Sequence, residues 1–506
     1  MLSTHPFDHD FGVIAALIHQ HAQAAPTRRA LSDGRLTLDY AALDALMDRI
    51  AASLQRDGLR PGDAIALCGS ASTLYAAVFL GALRAGVAVA PLAPGVLSEA
   101  FQRMLSDAGA RRLFADASVS AEGIDLPLTS LDDPAEFEAW LMPPGSRPQP
   151  VAIEPGTPFN IIYSSGTTGE PKGIVQGHGM RWQHVRRGSN YDYGPDTVAL
   201  LSTPLYSNTT LVVFFPALAW GGTVILMPKF NAAAYLQLAA AERVTHTMLV
   251  PVQYQRLMAL PDFDRHDLSA FKAKFCTSAP FGAALKADVL RRWPGGLVEF
   301  YGMTEGGGSC VLDAHLWPDK LHSVGRPMEG HDMRLIDEDG RILPVGETGE
   351  VVGHSPGMMI GYHRRPEQTR AVEWFDPESG KRFIRTGDIG RFDADGFLTL
   401  MDRKKDMVIS GGFNIYPSDL EAVLRQHPAV ADAAVAGVPS EQWGETPVGW
   451  VVLRAGFADS AAELLEWVNG RLGKMQRLSD LLLVGELPRS AIGKVLKREL
   501  REGYRA

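Results

Sequence analysis

The stretch Tyr163-Ser164-Ser165-Gly166-Thr167-Thr168-Gly169-Glu170-Pro171-Lys172-Gly173 follows a strand-like run at 159–162 and concentrates hydroxyls, glycines and one lysine. Small residues let backbone N–H groups come close to phosphate oxygens. The hydroxyls of Ser164, Ser165, Thr167 and Thr168 add donors, and Lys172 adds a compact positive charge. The chemistry this composition suits is the holding of a polyphosphate. The spacing does not fit G-x-x-x-x-G-K-[ST], because Pro171 precedes the lysine and Gly173 follows it, so a Walker-type NTPase loop is disfavoured. An ordinary Ser/Thr/Gly turn is the blander reading, and the density of hydroxyls directly after a strand argues against it.

Further along, Tyr301-Gly302-Met303-Thr304-Glu305 places a flat ring, which suits a nucleobase, close to a hard carboxylate, which suits Mg²⁺. Alone, Tyr301 is equally well a core aromatic. Arg385-Thr386-Gly387-Asp388 alone is a good turn. The charged run Asp402-Arg403-Lys404-Lys405-Asp406 alone is a solvated surface, and so is the basic segment 488–498 around Gly493-Lys494.

Taken together and in this order, these stretches resemble the adenylate-forming superfamily, which includes acyl-CoA synthetases, firefly-type luciferases and the adenylation domains of peptide synthetases. The resemblance runs through nearly the whole chain. It implies that Ser164, Ser165, Thr167, Thr168 and Lys172 bind the phosphates of ATP, and that the Ser278-Ala279-Pro280 turn lies beside adenine. Tyr301, followed by Gly302, would stack on adenine, Thr304 would contact the α-phosphate, and Glu305 would hold Mg²⁺. Asp388 would accept from the ribose hydroxyls, with Arg403 as a second ribose or phosphate contact. Lys405 falls at the hinge position, Gly411 and Gly412 at the pantetheine channel, and Lys494 at the catalytic lysine near the chain end.

The implied reaction activates a carboxylic acid with ATP and passes the acyl group to coenzyme A. Such an enzyme positions groups and holds phosphate charge rather than supplying a nucleophile, so no Ser/His/Asp or Cys/His constellation is needed. His178, His246 and His315 therefore read as core or surface residues. The rival acceptor is a carrier protein, and the rival from another class is a catalytically silent nucleotide-binding relative. The intact set Lys172, Glu305, Asp388 and Lys494 argues against the silent relative. No carrier-protein-like domain follows Ala506, and no insertion of the fatty-acyl-AMP ligase kind precedes the hinge, which leaves a stand-alone CoA ligase as the expectation.

Two departures bear on the acid. Many fatty-acid and aryl ligases carry Pro-Leu-Phe-His where this chain has Pro204-Leu205-Tyr206-Ser207-Asn208, so Ser207 stands in place of the histidine near the acyl pocket. Phe300 precedes Tyr301 where several aryl ligases have glycine. A ring there either shortens the acyl pocket, favouring compact acids, or packs beneath the loop. Cys276 is a further candidate for facing the acyl group. The expected substrate is a small carboxylic acid, aryl or short-to-medium acyl.

The elements that must position these residues follow from periodicity. Apolar spacing predicts helices over 11–24, 40–57, 73–85, 232–243 and 284–293, and short apolar runs predict strands over 64–68, 87–92, 198–203, 223–227 and 247–250. Alternating strands and helices imply a mostly parallel, covered sheet in an α/β protein. Residues 142–155 read as a linker, and from about 323 the texture becomes β-rich turns and short strands. A final α+β unit has helices over 418–426 and 461–472 and strands over 431–435 and 449–453. The expected organisation is an adenylate-forming domain over 1–402 and a mobile C-terminal lid over 403–506.

Length and composition agree with that class. At 506 residues the chain is too long for one core. With 49 Lys+Arg against 58 Asp+Glu, the formal net charge of −9 argues against a general nucleic-acid surface. The three cysteines, Cys68, Cys276 and Cys310, lack metal spacing and suit a reducing, cytoplasmic setting. The start, Met1-Leu2-Ser3-Thr4-His5-Pro6, has no basic n-region followed by an apolar core, so no signal peptide is expected. The uncharged stretch between Asp196 and Lys229 is broken by Pro204, Asn208, Pro216 and Gly221-Gly222, so buried strands and turns are expected there rather than a membrane span. CoA and the acid are the expected partners, and a homodimer is left open.

Overall fold

The computed structural model describes residues 6–94, 98–119, 123–164, 172–403, 406–410, 413–441, 443–473, 476–490 and 493–504. The chain divides into two compact units. One comprises Met1–Leu321, Pro327–Asp332 and Gly353–Ile384, and the other His322–Arg326, Met333–Val352 and Arg385–Ala506.

The first unit holds two large sheets. In one, the strands Arg29–Ser32, Thr223–Leu226, Val198–Leu201, His246–Leu249, Ala273–Cys276 and Gly296–Gly302 lie side by side and parallel. Thr37–Asp39 and Ser309–Asp313 pair antiparallel at its two sides. In the other, Leu128–Ser130, Ala110–Ala115, Ala64–Cys68, Ala88–Leu92 and Pro158–Ser164 are parallel, and Lys172–Gly177 and Gly361–Tyr362 continue it antiparallel. Ala64–Cys68 and Ala88–Leu92 are buried at every position, which is why they read as unbroken apolar runs rather than as alternation.

Helices fill the space between the sheets. Tyr40–Arg56 starts where Asp39 accepts from the Ala42 N–H at 2.8 Å, and Thr73–Arg84 starts where Ser72 accepts from the Tyr75 N–H at 3.1 Å. Their buried faces, with Leu211, Phe214 and Phe215 of the helix Asn208–Ala219, join Ile65, Val89 and Phe159 of one sheet to Leu31, Leu201, Met248, Phe275 and Val298 of the other in one core.

The elements expected over 40–57, 64–68, 73–85, 223–227 and 247–250 form within a residue or so of their expected bounds. The uncharged stretch differs: its middle is the helix Asn208–Ala219 with Pro216 inside it. Proline removes one donor from a helix, but Ser207 caps this one and nearly every side of it is buried, so packing outweighs the local penalty. Among the described residues no helix is long and apolar enough to cross a membrane.

In the second unit, Asp388 to Phe392 of the strand Arg382–Phe392 pair antiparallel with Leu398–Arg403. Beyond it, Val430–Ser440 and Gly444–Leu453 form a long antiparallel pair, to which Asp480–Leu483 adds in parallel. The helices Pro417–Leu424 and Ala461–Asn469 pack on this sheet through Leu420, Leu424, Leu464 and Val468. Ala461–Asn469 opens with a capping box of Ser460 and Glu463.

Candidate functional site

The hydroxyl-rich loop is closed by an antiparallel stem in which Tyr163 pairs with Gly173 and Ser164 with Lys172. Ser165, Thr167 and Thr168 lie outside the described residues. The Lys172 ammonium sits over the Tyr362 ring, 5.5 Å from its centroid. The Tyr362 hydroxyl donates to Glu305 Oε1 at 2.9 Å. Tyr362 is carried by the short strand Gly361–Tyr362, whose register against Ile174 brings it beside the stem. Burial, reinforced by the Glu305 carboxylate, holds the Tyr362 phenol well above its ordinary range, so it keeps its proton and acts as a donor. The Glu305 carbonyl accepts from the Met359 N–H at 2.8 Å.

Tyr301 and Gly302 end the strand Gly296–Gly302, with Tyr301 nearly buried and Gly302 exposed. A Cβ at Gly302 would come within 2.8 Å of Ser309 Oγ. Ser278 has φ +83°, a left-handed conformation unusual for serine, and its Oγ lies 2.5 Å from Thr209 Oγ1. Strain of this kind persists where surrounding structure enforces it, and it is concentrated at functional sites. Ala279 is half-buried and Pro280 exposed. Ser207 caps the helix Asn208–Ala219 by accepting from the Thr209 N–H at 3.3 Å, and Asn208 is its first residue.

Strand register separates two of the residues expected on the acyl side. Cys276 is paired with Glu299, and Phe275 with Val298, so the Cys276 and Phe300 side chains leave opposite faces of the sheet. Cys276 is fully buried, and burial followed by the Glu299 charge pushes its thiol far up. Glu299 itself forms a buried ion pair with Lys286, and burial raises its carboxyl to about 7. On the other face, Phe300 stacks on Phe275 at 5.6 Å and meets Tyr191 edge-on at 5.8 Å. Tyr191, Val298 and Val311 line a cavity of about 310 Å³ on this side, with Asp313 and His315 at its wall. His178 and His246 are buried, and burial pushes each down to about 4, so both are neutral near pH 7.

Two groups at the site escape a reading of the sequence. One is Tyr362. The other is a buried set formed by Asn160, Gln176 and Arg181, none of which has exposed surface. Gln176 Nε2 donates to the Thr304 carbonyl at 2.7 Å. The available signal was a polar residue inside each apolar strand: Asn160 within Pro158–Ser164 and Gln176 within Lys172–Gly177.

In the second unit, Asp388 and Arg403 are opposite in register, and Arg403 Nε lies 3.0 Å from Asp388 Oδ1. Gly387 takes φ +71°, and Thr386 Oγ1 accepts from the Asp388 N–H at 3.0 Å. Lys494 is exposed and follows Gly493, whose φ of +78° closes a turn. That turn is held by Ser490 N–H to Lys494 O at 2.8 Å and by the Arg489 guanidinium, which bonds both the Gly493 carbonyl and Asp432. Lys405, Gly411 and Gly412 lie outside the described residues.

Layered sheets, the phosphate-loop stem and the ordered motifs define an enzyme of the adenylate-forming class, of acyl-CoA synthetase type. Residues 18–363 match the AMP-binding enzyme family and residues 419–494 the AMP-binding enzyme C-terminal domain, so the chain belongs to the AMP-binding enzyme family. It is 34% identical over 501 residues to a feruloyl-CoA synthase of Amycolatopsis, covering 96% of this chain and 98% of that one. It is 32% identical over 510 residues to an indoleacetate–CoA ligase of Aromatoleum aromaticum, covering 96% and 97%. Among solved structures, ATP-bound MatB of Rhodopseudomonas palustris superposes with a TM-score of 0.87 at 28% identity, over 97% of this chain and 99% of that one. The resemblance drawn from the motifs is borne out.

Proposed function

We propose that this chain is an AMP-forming carboxylic acid–CoA ligase acting on an aryl or short-to-medium acyl acid. The observation that carries the reading is the grouping of Lys172, Tyr362 and Glu305 from separate segments, which sets a fixed cation beside a carboxylate of the kind that polyphosphate chemistry requires. The names of the feruloyl and indoleacetate relatives support an aryl acid and CoA as its substrates.

A carboxylate oxygen of the acid attacks the α-phosphorus of ATP, and the bond to pyrophosphate breaks. The CoA thiol loses its proton and adds to the acyl carbonyl, and AMP leaves with the bonding electron pair. Ser164, Ser165, Thr167, Thr168 and Lys172 hold the phosphates, and Thr304 contacts the α-phosphate. Ser278, Ala279, Pro280, Tyr301 and Gly302 seat the adenine. Asp388 and Arg403 take the ribose, and Lys494 meets the charge that develops during adenylation. Gly411 and Gly412 line the thiol's path, and Lys405 is the hinge of a lid over 403–506. Ser207, Asn208 and Phe300 border the acid.

Among the described residues no cluster of three or more His, Cys, Asp or Glu could hold a metal. Magnesium bound through one carboxylate and the nucleotide's own phosphates fits that donor set, with Glu305 as the protein ligand. It would neutralise phosphate charge. The buried free cysteines favour a reducing, cytoplasmic setting.

The test is pyrophosphate release from ATP across a panel of carboxylic acids, with and without CoA. Acid-dependent release that turns over repeatedly only with CoA is expected. Release limited to one turnover with CoA, but relieved by a phosphopantetheinyl carrier, would move the acceptor to a carrier protein, and no release with any acid would sink the ligase reading.

The same panel tests the acyl pocket. Because Phe300 shares a face with the cavity beside Tyr191, Phe300→Ala should join the pocket to that space. Its kcat/KM ratio for bulky over compact acids should rise by about 10-fold, the scale of discrimination an apolar pocket provides. An unchanged ratio in a folded variant would leave Phe300 as packing alone.

A further inference from the structure

Arg181 is fully buried, and among the described residues no carboxylate pairs with it. Its guanidinium packs against the Phe159 and Phe215 rings at 5.7 and 5.8 Å. Its acceptors are neutral amides: Asn160 Oδ1, reached from Nε at 3.1 Å and Nη2 at 2.9 Å, and Gln176 Oε1, reached from Nη2. Nη1 is buried with no hydrogen-bond partner. Stability alone does not explain such an arrangement, because a buried ion with imperfect compensation is commonly replaceable by apolar side chains at no loss.

Its geometry does have a directional consequence. A guanidinium only donates, so it draws the oxygens of both amides toward itself. Asn160 Nδ2 is thereby left to donate to Gln176 Oε1, which it does at 3.0 Å. With Gln176 Oε1 occupied twice, Gln176 Nε2 must face the other way. It donates to the Thr304 carbonyl at 2.7 Å and reaches toward Asn208 Oδ1 at 3.5 Å. Were Gln176 reversed, its oxygen would oppose the Thr304 carbonyl, and were Asn160 reversed, its oxygen would oppose Gln176 Oε1.

We propose that Arg181 is a positioning residue for adenylation, fixing the Thr304 backbone through an amide relay whose polarity it sets. This rests on the proposed role of Thr304 at the α-phosphate. With the Met359 N–H on the next carbonyl, at Glu305, the relay pins two successive peptides of the motif. A backbone held in this way does not have to be reordered when nucleotide arrives.

Gln176→Glu separates positioning from packing. The carboxylate keeps the side-chain volume and gains Arg181 as an ion-pair partner, but it presents an acceptor to the Thr304 carbonyl. The expected result is a Tm at or above that of the wild type, a fall of about tenfold in kcat for acid-dependent pyrophosphate–ATP exchange, and little change in KM for the acid. MgATP affinity, measured by calorimetry without acid, should fall as well. Wild-type exchange and affinity in folded Gln176→Glu would overturn the proposal. Should that variant not fold, Arg181→Met with Gln176→Leu removes the cation and the amide together. The same losses in this folded double variant uphold the relay, and wild-type values overturn it. If the unaltered enzyme binds MgATP but shows exchange with no acid, the ligase reading fails, and the calorimetric comparison still decides the relay.

Discussion

Lys494→Ala should lose adenylation by about 10²- to 10³-fold while largely keeping thioester formation from supplied acyl-adenylate and CoA, the scale being that of removing one preorganised group aimed at developing charge. Its place in the turn is the physical basis. Gly493 at φ +78° and the bonds from Ser490 and Arg489 fix the backbone at Lys494, and Arg489 is itself anchored on Asp432 of the strand Val430–Ser440. A lysine on a frayed terminus would have to be ordered in the transition state, whereas one on a braced turn has most of that entropy removed beforehand. In the first half-reaction negative charge is redistributed between the carboxylate and the α-phosphate as pyrophosphate departs. In the second, the α-phosphate is already joined to the acyl group as a mixed anhydride and AMP leaves as that bond breaks, so a cation fitted to the first step contributes little. Pyrophosphate release and single-turnover consumption of the acyl-adenylate read the two steps separately. An equal loss in both would remove Lys494 from its assigned role.

The parts of this fold that are legible in the sequence are those whose cause is local. Ala64–Cys68 announces itself as a strand because both faces are covered, and the loop before Lys172 stands out by its run of hydroxyls and glycines. Tyr40–Arg56 and Thr73–Arg84 carry their start signals in Asp39 and Ser72. The illegible parts depend on separation or on register. Gln176 and Thr304 are 128 positions apart, and Tyr362 and Glu305 are 57 apart, so no spacing rule connects them. That Cys276 and Phe300 leave opposite faces of the sheet is also hidden, because the face of a strand residue is known only once its partner is, and the partner of Cys276 is Glu299. Pro216 misled for a related reason: a proline reads as a break until the burial around the helix is seen to outweigh it.

Glu305→Gln should weaken adenylation by about 10²-fold and raise the Mg²⁺ concentration at which nucleotide binding is half complete, since the amide leaves a neutral oxygen where a hard, charged donor stood. Tyr362→Phe is the graded companion. It removes the hydrogen bond at 2.9 Å but leaves both the carboxylate and the ring face under Lys172. A hydrogen bond to a charged group contributes roughly 1.5–3 kcal/mol, and solvent compensation at a half-buried site lowers that, so a shift of about three- to tenfold in the Mg²⁺ midpoint is expected. Because burial and Glu305 hold the phenol well above its ordinary range, the donor persists across all neutral and mildly alkaline pH, and the difference between wild type and Tyr362→Phe should be flat from pH 6 to about 9. Calorimetric titration of ATP at a series of Mg²⁺ concentrations, without acid or CoA, measures both midpoints independently of turnover. A wild-type midpoint in Glu305→Gln would take the metal away from this carboxylate. A wild-type midpoint in Tyr362→Phe alone, with Glu305→Gln shifted, would mean that the Met359 N–H on the Glu305 backbone suffices to hold the side chain in place.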